Sequence, residues 1–167
     1  MKKLNKPNIF SDKVLRNLVE GTFAIEGITL GVTRQNFELL FGKADENMIN
    51  AQKSYQNILL YVENNVDEEN APYYTFWFEG DKTLDMRQYQ LRTIEFAFPR
   101  YENDFSECIL KEKLGQPDLE YRSGYQQNYC YGYTTFMYTE INSKWQLTNI
   151  CYQDKEYQKE KRILFGE

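Results

Sequence analysis

Phe37-Glu38-Leu39-Leu40-Phe41-Gly42-Lys43-Ala44-Asp45 is answered later in the chain by Leu110-Lys111-Glu112-Lys113-Leu114-Gly115-Gln116-Pro117-Asp118. In each stretch a short apolar helical face runs into a glycine that can take the positive φ of a helix stop, and an aspartate three residues on can start a turn. Aromatic, alternating segments follow both copies and close on similar phrases, Leu91-Arg92-Thr93-Ile94-Glu95-Phe96 and Leu147-Thr148-Asn149-Ile150-Cys151-Tyr152. Internal similarity at this scale is an architectural signal. The expected class is α+β: two tandem helix-plus-antiparallel β-meander repeats forming a curved sheet with helices on one face, preceded by an N-terminal helix. The implied division is 1–22 for the N-terminal segment and helix, 23–100 for repeat 1, 101–154 for repeat 2 and 155–167 for a charged tail.

Local chemistry places the elements. Ser11 caps a helix over Asp12–Glu20, with Phe10 and Leu15 spaced as a hydrophobic staple and Gly21 ending it. Residues 23–28 read as strand-like or simply extended. Thr33 caps the second helix, and the third begins near Asp104 with Glu107 completing a capping box. Strands are expected at Tyr55–Val62, Tyr73–Glu79, Leu91–Phe98, Tyr125–Tyr133, Thr134–Glu140 and Trp145–Gln153, from their β-branched and aromatic content. Turn signals fall at Asn64-Asn65, Gly80-Asp81 and Asn142-Ser143. From Asp154 to Arg162 charge alternates, as in a frayed helix or an extended end.

Hydrophobic residues make up 41% of the chain and aromatic ones 16%, enough for a packed core. The 25 acidic and 20 basic side chains leave a net charge of −5, which argues against binding nucleic acid and leaves open a basic protein partner or plain solubility. Cys108, Cys130 and Cys151 cannot all pair within the chain, and they read as small buried side chains in a reducing compartment; a Cys130–Cys151 bridge stays open. Residues 1–8 hold no apolar signal core and no run reaches membrane-spanning length, so the expected location is cytoplasmic.

Histidine is absent, which excludes nucleophilic mechanisms with an imidazole base and zinc sites built on histidine. No phosphate loop, dinucleotide fingerprint or calcium loop is present, since Gly27-Ile28-Thr29-Leu30-Gly31 lacks both the third glycine and the lysine. Carboxylate pairs could do acid-base work, yet no pair is singled out. No catalytic residue, metal or cofactor is therefore expected.

Tyrosine is abundant, at 14 residues. Strand alternation assigns Phe76, Phe78, Ile94, Phe96, Phe136, Tyr138, Ile150 and Tyr152 to a core under the helices. The opposite parity carries Tyr61, Tyr73, Trp77, Tyr129, Tyr131 and Tyr133, rings suited either to a protein-binding sheet face or to packing against one another across strands. Glu79, Asp81 and the loop Asp67-Glu68-Glu69 would steer a basic target towards that face. The expected function is a non-catalytic, inhibitory protein-binding protein, with a toxin-neutralising immunity protein acting by occlusion as the named subclass. The alternative is a small-ligand or carbohydrate-binding protein, or a carboxylate-based hydrolase, with a tyrosine-lined cleft.

The words Phe41-Gly42-Lys43-Ala44-Asp45 and Leu114-Gly115-Gln116-Pro117-Asp118, each followed by strands, resemble the repeat of the β-lactamase inhibitor protein family and the related small outer-membrane-assembly lipoproteins. The resemblance spans about Phe23 to Gln153 and implies tandem α+β repeats whose free sheet face meets a protein partner. Members of those groups are exported and the inhibitors carry disulfides within each repeat, whereas this sequence has an odd cysteine count. No partner-contacting residue of the inhibitors has a counterpart to carry over.

Overall fold

The structure, a computed structural model, describes residues 7–42, 46–51, 55–62, 73–98 and 103–165, with 46–51, 55–62, 73 and 161–165 described by backbone alone. The described helices are α1 (Asp12–Glu20), α2 (Arg34–Phe41), α3 (Glu107–Leu114) and α4 (Lys155–Phe165). The strands are β1 (Glu46–Ala51), β2 (Tyr55–Val62), β3 (Tyr73–Asp81), β4 (Gln90–Ala97), β5 (Leu119–Ser123), β6 (Gln126–Tyr131), β7 (Thr134–Ile141) and β8 (Lys144–Gln153). All eight join one antiparallel sheet in the order β1-β2-β3-β4-β8-β7-β6-β5. The fold is thus mixed α+β, and the pairing of β4 with β8 at its centre sets Ile94 opposite Tyr152 and Phe96 opposite Ile150.

Helix ends follow the side chains that can satisfy free N–H groups. The Ser11 hydroxyl accepts from Val14 N–H and the Thr33 hydroxyl from Asn36 N–H. The third cap differs from expectation: Ser106, whose hydroxyl accepts from Ile109 N–H, starts α3 in place of Asp104. The C-terminal segment resolves into helix, with Asp154 Oδ1 accepting from Tyr157 N–H at 3.0 Å.

Two strands escape the sequence reading. β1 and β5 occupy the two ends of the sheet, so each has one neighbour and its residues need no apolar alternation. β3 also runs through Gly80-Asp81, and the turn comes later, where Asp81 Oδ1 accepts from Thr83 N–H at 2.8 Å. At Asn142-Ser143 the expected turn is present, both residues having positive φ, as a two-residue hairpin that matches strand twist requires.

Core packing follows cross-strand rows. Tyr131, Thr134, Tyr152, Ile94 and Phe76 form one row across β6, β7, β8, β4 and β3, and Tyr129, Phe136, Ile150, Phe96 and Tyr74 form the next. All ten are buried. The Phe37 ring of α2 meets Phe76 at 4.7 Å and Phe78 at 5.3 Å between centroids. Burial of each such ring contributes roughly 1.5–3 kcal/mol, and the Thr134 hydroxyl donates to Leu18 O of α1 at 2.7 Å.

Candidate protein-binding surface

The structure separates the rings that the sequence reading grouped. Gly132 and Tyr133 form a two-residue turn, Gly132 at φ 50°, so Tyr131 lies opposite Thr134 and Tyr129 opposite Phe136. Directly opposed residues share a face, which puts Tyr129 and Tyr131 among the core side chains. The expected open-face position of these two residues is therefore corrected. The error came from running one strand through Gly132-Tyr133 and counting parity across the turn.

Both buried tyrosines tie α3 to the sheet. Tyr131 donates its hydroxyl to Gly115 O at 2.9 Å, just past the end of α3, and Tyr138 donates to Phe105 O at 3.1 Å, just before its start. Burial, and then a hydrogen bond with Glu107, raises the Tyr129 phenol far above its ordinary range. Lys111 Nζ lies 4.9 Å over the Tyr129 ring and 2.8 Å from Glu107 Oε1, a partly exposed pair that lowers the Glu107 carboxyl below its usual value. Tyrosine at these positions buries a ring and still satisfies a carbonyl that phenylalanine would leave unpaired.

The remaining candidates are dispersed. Tyr133 is half-buried in the turn, donating its backbone N–H to Val19 O at 3.0 Å. Trp77 is half-buried on the reverse face, opposite Thr93. Glu79 is only 6% exposed, which corrects its assignment as a steering charge. Asp81 is exposed, but its carboxylate is held in the turn by Thr83, whose backbone and hydroxyl hydrogen bonds lower its pKa. Tyr61 lies in β2 and Tyr73 opens β3, their side chains outside the described residues, as is the whole of the Asp67-Glu68-Glu69 loop.

Among the described residues the reverse face of the sheet mixes short polar side chains with Trp77, Met137, Leu119 and Tyr121. Cys130, Thr135, Cys151, Glu95 and Thr75 form one row across it, and Asn128, Met137 and Asn149 form part of the next. Asn149 Nδ2 donates to Glu95 Oε1 at 2.7 Å, and Cys130 Sγ lies 3.5 Å from Thr135 Oγ1. β7 separates Cys130 from Cys151, and all three cysteines are free thiols, so the open question of a Cys130–Cys151 bridge closes against it. Burial, with Glu95 nearby, pushes the Cys151 thiol up to about 12.

Large exposed rings collect instead where β5, β6, β7 and β8 turn. Tyr125 is 77% exposed, Tyr121 45% and Trp145 39%. Arg122 links Trp145 to the turn that carries Tyr125, while Tyr121 lies on the other face of β5: the Arg122 guanidinium lies 5.3 Å from the Trp145 ring centroid, its Nε donates to Gly124 O at 3.2 Å, and its NH2 sits 3.9 Å from Glu140 Oε2. Glu140 N–H in turn donates to Tyr125 O at 3.2 Å. Beside Trp145 opens a cleft of about 890 Å³, lined by Phe10, Asn103, Asp104, Phe105, Ile109, Lys144, Trp145 and Gln146. The sequence carried a usable signal for this cluster. An aromatic residue within two positions of a Gly124 or Asn142-Ser143 turn sits beyond the end of the core and has little to pack against.

Among the described residues Asp104 is the one carboxylate lining the cleft, and no group of three or more His, Cys, Asp or Glu is placed to hold a metal ion. Among the described residues no helix is long and apolar enough to cross a membrane.

No protein-family model matches the chain, and no curated protein sequence matches it. Similar folds do occur among solved structures. A DUF4309 family protein, YjgB, of Bacillus subtilis is 12% identical over 83% of this chain and 92% of its own, with a TM-score of 0.52. A cysteine-rich secretory protein of Staphylococcus aureus is 12% identical over 77% of this chain and 44% of its own, with a TM-score of 0.44. The likeness to the Bacillus subtilis protein bears on the fold alone.

Proposed function

We propose that this chain is a non-catalytic protein that binds another protein and blocks it by occlusion, with toxin neutralisation as the subclass. The carrying observation is exposed Trp145 beside the Arg122 guanidinium, which also donates to Gly124 O next to exposed Tyr125, because Trp, Tyr and Arg are the residue types that dominate interface energetics. The net charge of −5 favours a basic target approached from a distance. On this reading α2 with β1–β4 and α3 with β5–β8 are two tandem repeats, as in the β-lactamase inhibitor protein family, and the three free thiols support a cytoplasmic location.

A binding isotherm with the purified product of the adjacent gene tests the reading. Tyr125→Ala and Trp145→Ala should each weaken binding by about 2 kcal/mol, roughly 30-fold, while Leu39→Ala on α2 leaves it unchanged. Unaltered affinity in both ring variants would remove these residues as anchors.

The cleft beside Trp145 favours a second reading, a carbohydrate or other small polar ligand stacked on the indole and held by Asp104 and Gln146. Quenching of tryptophan emission by a panel of oligosaccharides, lost in Trp145→Phe, would support that reading over the first.

A further inference from the structure

We infer that β5 pairs with β5 of a second copy, extending the sheet across a two-fold axis at Tyr121. β5 ends the sheet, and all five of its residues are exposed. Ser123 and Gln126 flank the two-residue turn at Gly124-Tyr125, so they form a hydrogen-bonded pair. Bonded and non-bonded pairs alternate along an antiparallel ladder, so Leu119, Tyr121 and Ser123 direct their N–H and C=O groups to β6. Glu120 and Arg122 turn theirs outward, away from the sheet.

The strand Leu119-Glu120-Tyr121-Arg122-Ser123 is complementary to itself when antiparallel. Centred on Tyr121, the pairing sets Glu120 opposite Arg122 of the second copy and Arg122 opposite Glu120 of the second copy. Those are the residues with free backbone groups, so both hydrogen-bonded pairs are also opposite-charge pairs. The Glu120 and Arg122 side chains are 44% and 59% exposed; Glu120 meets Lys111 and Gln127 and Arg122 meets Glu140 and Trp145, surface contacts that the pairing would exchange for the cross-strand ones. Tyr121 would meet its own copy on the reverse face, where it and Leu119, 56% exposed, now face solvent. Charged side chains on an edge ordinarily repel another strand. Here the order Glu-Tyr-Arg makes the charges select an identical edge. The other edge, Glu46-Asn47-Met48-Ile49-Asn50-Ala51, has no such symmetry. The interface is short, so a dissociation constant on the order of 100 μM is expected.

Sedimentation velocity over a concentration series tests the pairing. The wild type should dimerise, and Glu120→Arg and Arg122→Glu should each weaken self-association more than tenfold by setting like charges opposite. An equimolar mixture of the two variants should associate, and the double variant, with the charges exchanged, should dimerise like the wild type. In parallel, exchange of the Glu120 and Arg122 amide protons in the wild type should slow with concentration while that of Tyr125 does not, a reading that needs no variant to fold. A wild type that stays monomeric at about 1 mM overturns the inference, since that is tenfold above the expected constant. So does undiminished association of both single variants, or a mixture that fails to associate.

Discussion

Gly132 and Gly124 share a backbone conformation but not an environment, and that contrast allows the turn that sends Tyr129 and Tyr131 inward to be tested. Their φ values are 50° and 59°. An alanine Cβ at 124 would meet nothing within 4 Å, whereas at 132 it would lie 2.2 Å from the carbonyl oxygen of Val19. Gly124→Ala should therefore cost only the left-handed strain of a side chain, about 1 kcal/mol. Gly132→Ala carries the same strain and must also push the last turn of α1 off the sheet. That movement breaks the bond from Tyr133 N–H to Val19 O at 3.0 Å and the buried bond from Thr134 Oγ1 to Leu18 O at 2.7 Å. Each lost bond costs about 1 kcal/mol, so the total approaches 3 kcal/mol. In urea, with a slope of about 2 kcal/mol/M, the midpoint should fall by roughly 1.5 M for Gly132→Ala and by roughly 0.5 M for Gly124→Ala. Equal shifts in the two variants would refute the close approach of hairpin and helix, and with it the register that buries the two tyrosines.

Three other outcomes follow from the same contacts. Tyr138→Phe leaves Phe105 O without its donor at 3.1 Å and should lower stability by about 1–2 kcal/mol with an unchanged denaturant slope. A thiol reagent at pH 8 should modify exposed Cys108 first and reach Cys151, buried with its thiol at about 12, only on unfolding; rapid modification of Cys151 in the native protein would contradict its burial. The Glu107 carboxyl is lowered chiefly by its hydrogen bond with Lys111, so its contribution is present above the unfolded value of 4.5 and is lost as pH falls through the folded value. That side chain is 41% exposed, so the screened effect should stay below about 0.5 kcal/mol, read as a shallower acid slope in Glu107→Gln.

Where a single side chain decides the outcome locally, the sequence is a reliable guide. Ser11 and Thr33 cap the helices expected of them, and Asn142-Ser143 makes its hairpin turn, because a cap or a tight turn needs only neighbours within three residues. β1 and β5 were not legible, since an edge strand is defined by what lies beside it and carries no required pattern. Face assignment failed at Gly132 for a related reason. A shift of one residue in register reverses the side that every following side chain occupies. Arg92 shows the same sensitivity: it is the extra residue where the ladder shifts opposite Trp77 and Phe78, and its guanidinium leaves the alternation to meet Asp154 at 2.7 Å and the Tyr157 ring at 4.0 Å.

The abundance of tyrosine therefore has two causes that composition alone cannot separate. Tyr129, Tyr131, Tyr138 and Tyr152 are core residues, and for Tyr131 and Tyr138 the hydroxyl explains why tyrosine stands where phenylalanine would fill the same space. A ring whose hydroxyl is engaged with a backbone carbonyl on the protein's own helix is not offered to a partner. Tyr121 and Tyr125 lie beyond that network, on the outer strand and at the tip of its hairpin, together with Trp145. Among the described residues the most exposed rings accordingly lie at the end of the sheet and not in its middle, where the reading of open-face rings put them. An edge that pairs with its own copy would set two Tyr125 tips four residues to either side of the axis, about 26 Å apart at 3.3 Å per residue. That spacing would let one dimer engage two targets, or two sites on one target, and gain by avidity what a small aromatic patch lacks in area.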